Sequence, residues 1–150
     1  MKVRLWTLEH SFLIDAAHYL PQLPVGHKCR NVHGHTWKFT VYVQAQALDA
    51  DDFVIDFKML KTLCENYIVF PLDHQTLNSA LASGKDGEEK PFVPTCENLA
   101  CWAYQTLQPY VETMSHATLL SVKVTENIVD ENAVTYMEAE ALDGTEVQDS

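Results

Sequence analysis

Residues 27–35 read HKCRNVHGH, which puts three histidines and a cysteine, all good metal ligands, into one short stretch. His33 and His35 stand two apart at the entry to an alternating run. In extended geometry such residues point to the same side. His18 closes an earlier alternating run, on its mostly apolar face. If the two runs pair antiparallel, the end of the first lies beside the start of the second, and three imidazoles converge. Three neutral nitrogen donors suit Zn²⁺ and leave a fourth position open, which is the catalytic arrangement. The plainer alternative is one buried, hydrogen-bonded His18 and two partly exposed loop histidines.

Other residues add to this chemistry. Cys29 has basic neighbours, Lys28 and Arg30. It can be a fourth ligand that closes a structural site, or a base or nucleophile beside an open one, with the thiolate favoured by nearby positive charge. It can also be an ordinary loop cysteine. Asp73 and His74 are adjacent, so they cooperate in proton transfer only if the chain bends there. Glu126 ends a third alternating run with the parity of Leu120, Val122 and Val124. At the rim of a buried face its carboxylate can accept two parallel N–H bonds from a planar ligand group. It can equally turn into solvent.

The elements that must position these residues follow from periodicity. Trp6, Leu8, Phe12, Ile14, Ala16 and His18 share one parity, which predicts a half-buried strand. LPQLPVGHKC carries prolines and a glycine and reads as loop. Trp37, Phe39, Val41, Val43, Ala45 and Ala47 predict a second strand. DFKMLKTLCENYIV shifts to helical spacing, with Asp56 as N-cap, Phe57, Leu60, Leu63, Cys64 and Tyr67 on one face, and Pro71 as the stop. Residues 72–94 read mostly as loop. A second helix follows, capped by Thr95 and buried along Leu99, Trp102, Ala103, Thr106, Leu107 and Tyr110. TLLSVKVTE and AVTYMEAEA predict two further strands. The order strand-strand-helix-helix-strand-strand predicts the α+β class, an antiparallel four-stranded sheet with two helices on one face. A single domain over 1–150 is expected, with an acidic tail at about 142–150.

Composition narrows the function. The net charge of −11 disfavours nucleic-acid binding, which needs basic surface. An anionic substrate would need a local cation, such as a metal ion, Lys28 or Arg30. No apolar run is long enough to span a bilayer, so no membrane partner is expected. The alternating N-terminus lacks the continuous apolar core of a signal peptide, so a cytoplasmic protein is expected. Of the four cysteines none forms a C-x-x-C pair, and a disulfide framework is not expected. Cys64 and Cys101 are predicted to be buried thiols on helix faces.

Taken together, DAAH, CRNVHGH, VIDF, LDHQTLN, PTCENLA and VKVTEN resemble, in order and spacing, the 6-pyruvoyl-tetrahydropterin synthase family over roughly residues 8–138. The gap of four between Cys29 and His33 looks most like the bacterial 6-carboxy-5,6,7,8-tetrahydropterin synthase branch of queuosine biosynthesis. The resemblance implies a tunnelling fold assembled as a homohexamer, with active sites at subunit interfaces. It implies Zn²⁺ on His18, His33 and His35, Cys29 as general base, and His74 with Asp73 as proton relay. It implies Glu126 as the carboxylate that anchors a pterin and Thr95 as a further pterin contact. The implied reaction converts 7,8-dihydroneopterin triphosphate to 6-carboxy-5,6,7,8-tetrahydropterin, releasing acetaldehyde and triphosphate.

Three features depart from the family pattern: Ile14 where Phe is usual, Asn127 where Thr is usual, and a long linker at 79–93. The alternatives are triphosphate elimination of the 6-pyruvoyl type and a non-catalytic protein with a structural Cys–His₃ zinc site.

Overall fold

A computed structural model describes residues 1–82 and 91–140. Most of the 79–93 linker and the acidic tail at about 142–150 lie outside the described residues. The sheet has four strands in the order β1 (Trp6–His18), β2 (His33–Ala45), β3 (Thr118–Thr125) and β4 (Ala133–Tyr136). Every neighbouring pair is antiparallel. The alternation read from the sequence sets which side faces inward. Ile14 and Ala16 of β1 and Trp37, Phe39, Val41 and Val43 of β2 are buried, while the residues between Ile14 and the start of β1 on the other parity are exposed. The predicted α+β order holds.

Between β2 and β3 the chain forms α1 (Phe57–Cys64), α2 (Phe70–Leu72), α3 (Leu77–Ala80) and α4 (Cys96–Met114). Asp56 caps α1 by accepting from the Met59 N–H at 2.9 Å. Helical chain does not stop at Pro71. It widens into a π turn over Glu65–Val69, with the Phe70 N–H donating to the Glu65 carbonyl, and ends at Leu72. Proline has no N–H and its ring collides with the carbonyl four residues back. The wider turn moves that carbonyl out of the way. The face of α1 also differs from expectation. Leu60, Leu63 and Cys64 are buried, followed by Ile68, whereas Phe57 is exposed.

The buried face of α4 is rotated from the predicted stripe. Leu99, Ala103 and Leu107 are buried as expected, but Ala100, Tyr104 and Val111 join them. Trp102 and Thr106 are half-buried and Tyr110 is exposed. Small Ala100 lets the helix approach the sheet, and Tyr104 can be buried because its hydroxyl donates to the Leu119 carbonyl at 3.3 Å. Cys64 is buried and its thiol is pushed up to about 12, first by burial. Cys101 is only half-buried, contrary to expectation, since it lies at the edge of this rotated face. None of the four cysteines is in a disulfide.

Residues 72–94 are less loop-like than predicted. Besides α3, the segment after α2 lies along the free edge of β1, where Ala17 bridges Thr76 in parallel. Among the described residues, no helix is long and apolar enough to cross a membrane.

Candidate metal centre and active site

The pairing of β1 with β2 builds the centre directly. His18 is the register partner of His33, and Ala16 that of His35. All three histidines therefore stand on the inward face at one end of the ladder. Trp37, fully buried, forms the floor. Its ring centroid lies 4.9 Å from His18 and 5.4 Å from His35, edge-on to each. Its indole N–H donates to the Ala16 carbonyl at 3.1 Å, which fixes the ring.

Hydrogen bonds orient the imidazoles. His18 Nδ1 lies 2.8 Å from the Pro94 carbonyl, and His33 Nδ1 lies 2.7 Å from the Asn31 carbonyl. A carbonyl only accepts, so each Nδ1 carries the proton and each Nε2 presents a lone pair. The two Nε2 atoms are 3.1 Å apart. His35 Nε2 is buried with no hydrogen-bond partner. One ring nitrogen from each histidine lies within 4.8 Å of the others, so the three form a group that could hold a metal ion. Burial is the largest influence on His18 and His35 and lowers both pKa values. Burial thus favours the neutral rings that a metal requires. Lone pairs facing one another at this range are unfavourable unless a cation lies between them. The accepting carbonyls of Pro94 and Asn31 are of the kind that commonly orient metal-bound histidines from the outer shell.

Cys29 sits on a 3-10 turn, Lys28–Arg30, capped by His27, whose Nδ1 accepts from the Cys29 N–H at 3.1 Å. His27 thus serves as the cap of this turn. A cleft of about 500 Å³ is lined by Lys28, Cys29, His33, His35 and Glu126 among others. The sulfur of Cys29 shares that cleft but is not one of the converging donor atoms. Arg30 faces elsewhere. Its guanidinium donates to the carbonyls of Pro21 and Leu23 at 2.6 and 2.7 Å and so pins the preceding loop. Lys28 remains as the cation beside the cleft.

Glu126 follows the last residue of β3. A bulge opposite Tyr42 and Val43 leaves Leu120 unpaired, so Leu119, Val122 and Val124 face the core and Leu120 does not share that face fully. The Glu126 carboxylate lies over the histidines, with Oε1 3.4 Å from His18 Nε2 and 3.7 Å from His35 Nε2. Thr95 caps α4 by accepting from the Asn98 N–H at 3.2 Å. The cap follows Pro94, whose carbonyl holds His18. Behind Glu126, the Cys96 thiol is pushed up to about 11, first by burial and then by the Glu126 charge. It stays protonated at neutral pH.

Asp73 and His74 form a pair on a bend. His74 adopts φ 59°, in the left-handed region, and its Nδ1 lies 2.8 Å from Asp73 Oδ2. The other carboxylate oxygen accepts from the Asp15 N–H at 2.9 Å, and the His74 N–H donates to the Asp15 carbonyl at 2.7 Å. The Asp15 amide, and next His74, hold the Asp73 carboxyl below its ordinary value. His74 opens onto a different cleft, of about 690 Å³, lined also by Asp15, Thr36 and Thr76. His35 borders both clefts. The fold therefore brings His18, His33, His35, Cys29 and Glu126 together, and sets Asp73 and His74 apart from Cys29. Two positioning groups went unread in the sequence. Asn78 clamps the end of β1 by bonding both the N–H and the carbonyl of Tyr19. The Pro94 carbonyl has no sequence signal at all.

A family model described as 6-pyruvoyl tetrahydropterin synthase matches residues 7–139. The chain belongs to this family. It is 34% identical over 104 residues to the 6-carboxy-5,6,7,8-tetrahydropterin synthase of Bacillus subtilis (strain 168), covering 69% of this chain and 66% of that protein, just under two thirds. It is 33% identical over 111 residues to the 6-pyruvoyl tetrahydrobiopterin synthase of Homo sapiens, covering 73% of this chain and 70% of the other. The fold matches the structure of Caenorhabditis elegans 6-pyruvoyl tetrahydropterin synthase with a TM-score of 0.71 at 24% identity, over 93% of this chain and 99% of that one. The family expected from the six motifs is the family found.

Proposed function

We propose that the chain is a zinc-dependent carbon–carbon lyase acting in queuosine biosynthesis. It takes 7,8-dihydroneopterin triphosphate and water to 6-carboxy-5,6,7,8-tetrahydropterin, acetaldehyde and triphosphate. The observation that carries this reading is the convergence of His18, His33 and His35, the last two of which line one cleft with Cys29 and Glu126. Zinc fits the donor set. Three neutral imidazoles are donors zinc commonly takes, and their ring nitrogens lie within 4.8 Å of one another, His18 and His33 Nε2 at 3.1 Å. When bound, the metal supplies Lewis acidity that lowers the pKa of a substrate hydroxyl.

The chain's own residues do the rest. Cys29, beside the histidines but outside the donor group, is the general base that takes a proton from the substrate side chain. Glu126 accepts the 2-amino and N3 protons of the pterin in paired hydrogen bonds, which a wrong ring would leave unsatisfied. Thr95 is a further pterin contact. His74 relays a proton, its Nδ1–H held by Asp73 so that Nε2 faces outward. Because His74 and Cys29 line different clefts of one chain, a complete site needs the Asp73–His74 pair from a neighbouring copy. A homohexamer with sites between subunits meets that need. Thiols free of disulfides suit the cytoplasm.

Identity alone does not choose the branch, since the bacterial and human relatives are nearly equal in it. The offset of Cys29 from His33 favours the lyase: one 3-10 turn and two further residues join them. Incubation with 7,8-dihydroneopterin triphosphate and identification of both products tests it. Acetaldehyde and the 6-carboxy pterin are expected. A 6-pyruvoyl product without acetaldehyde would assign the chain to the elimination instead. The interface reading has its own check: mixing a His33→Ala variant with an Asp73→Asn variant should restore part of the activity that each lacks.

A further inference from the structure

The carboxylate of Glu126 faces a buried nitrogen, His18 Nε2, that has no proton to offer it. His18 Nε2, 3.4 Å from Oε1, presents a lone pair because Nδ1 donates to Pro94. His35 Nε2, 3.7 Å from the same oxygen, has no hydrogen-bond partner. His33 Nε2 adds another lone pair 3.1 Å from that of His18. An anionic oxygen set against imidazole lone pairs is repulsive, and more so beside a buried ring such as His18. A shared cation turns the same arrangement into an attractive one.

We propose that Glu126 is a fourth ligand of the metal in the resting enzyme, and that it leaves the metal when a pterin binds. Glu126 stands just outside the three-nitrogen group, its Oε1 3.4 and 3.7 Å from two of those nitrogens, and with it the three imidazoles would make up the four ligands that zinc takes. The backbone permits the exchange. Glu126 lies one residue past the end of β3, so no ladder hydrogen bond fixes it, and its side chain is 40% exposed. Just beyond it Asn127 closes a tight turn, donating to Asp130 at 3.0 Å and accepting from the Val129 N–H at 2.9 Å. The turn holds the chain while leaving the Glu126 side chain free to swing. The metal thus stays closed until the ring that Glu126 also recognises enters the cleft. This second role rests on the pterin-anchor reading above; the metal contact itself does not.

The test uses protein loaded with Co²⁺, whose visible absorption reports its donor set. Glu126→Gln should shift the bands before any ligand is added and weaken Co²⁺ binding by about tenfold or more, the scale seen even for outer-shell losses. Glu126→Asp, which keeps a carboxylate on a shorter stem, should fall between the two and covers the case of a poorly folded Gln variant. Adding 7,8-dihydroneopterin should shift the wild-type bands. Spectra and affinities identical in wild type and both variants would overturn the proposal, as would wild-type bands unmoved by saturating 7,8-dihydroneopterin. If Glu126→Gln loses pterin affinity while its Co²⁺ spectrum is unchanged, this inference fails and the anchor reading stands. If the spectrum changes while pterin affinity does not, the anchor reading fails and the release on pterin binding with it, and the resting metal contact stands.

Discussion

His18, His33 and His35 sit on two paired strands above the Trp37 ring, and His18 is fully buried. His74 sits on a bend at φ 59° with 77% of its side chain exposed. Yet both regions hang on the same end of β1. One edge of that strand pairs with β2 and sets the triad. The other edge holds the dyad through the Asp15 N–H, the Asp15 carbonyl and the Ala17 N–H, which donates to Gln75 at 3.0 Å. The triad inherits its geometry from register, where a slip of one residue would turn every side chain over. The dyad relies on a few edge hydrogen bonds and one left-handed residue. The first arrangement suits a fixed metal site. The second leaves His74 exposed at the surface.

Several changes would break or sharpen this contrast. The largest effect is expected from His33→Ala, which removes a converging nitrogen. Metal affinity should fall by more than the roughly 10–100-fold typical of losing an outer-shell partner, with turnover abolished and the fold retained. Metal analysis after dialysis, with circular dichroism, checks it; metal retained at full affinity would sink the triad. Cys29→Ala should leave the metal in place and lower turnover by about 10²–10⁴-fold, as for a lost general base. Metal lost along with stability would instead make Cys29 a structural ligand.

Asp73→Asn should lower turnover by about 10²-fold without touching metal content. It also has a pH signature. The folded carboxyl of Asp73 is held down by the Asp15 amide and then by His74. Its stabilisation is therefore complete above the unfolded value of about 3.9 and is lost as pH falls through the lower folded one. Wild type should lose more stability than Asp73→Asn on going from about pH 5 toward pH 2. Parallel acid denaturation curves would remove the hydrogen bonds from the account. The smallest effect is expected from Thr95→Ala, about 1 kcal/mol in denaturant unfolding for a lost helix cap. A change below a few tenths would mean that the Thr95 hydroxyl does not cap α4 in solution.

Much of the site was legible in the residues themselves. The parity of His18 and of His33 with His35, read against Ile14, Ala16, Trp37 and Phe39, placed three imidazoles on the buried face of two strands. Side chains in a strand alternate with a period of two, so spacing carries that information without any tertiary knowledge. Thr95 and Asp56 were readable as caps for the same local reason. The rotation of α4 was not, because the predicted stripe followed the large side chains while the actual face uses Ala100 to come close to the sheet. Nor was the helical chain past Pro71, where the π turn relieves the clash that the proline ring makes in a regular α-helix. The bend at His74 depends on the edge of β1, which is far away in sequence.

The sequence by itself determined which atoms are offered: three imidazoles on one face, a thiol four residues before the second of them, and carboxylates at Asp73 and Glu126. Only the tertiary structure decided how they are offered. The carbonyl of Pro94, 76 positions from His18, sets which ring nitrogen carries the proton. The end of β3 lays Glu126 across the triad, and the separation of the two clefts keeps His74 from Cys29. Periodicity is a property of one segment of chain. Tautomer, contact and cleft are set by what other segments bring opposite to it, and strand spacing carries no record of that.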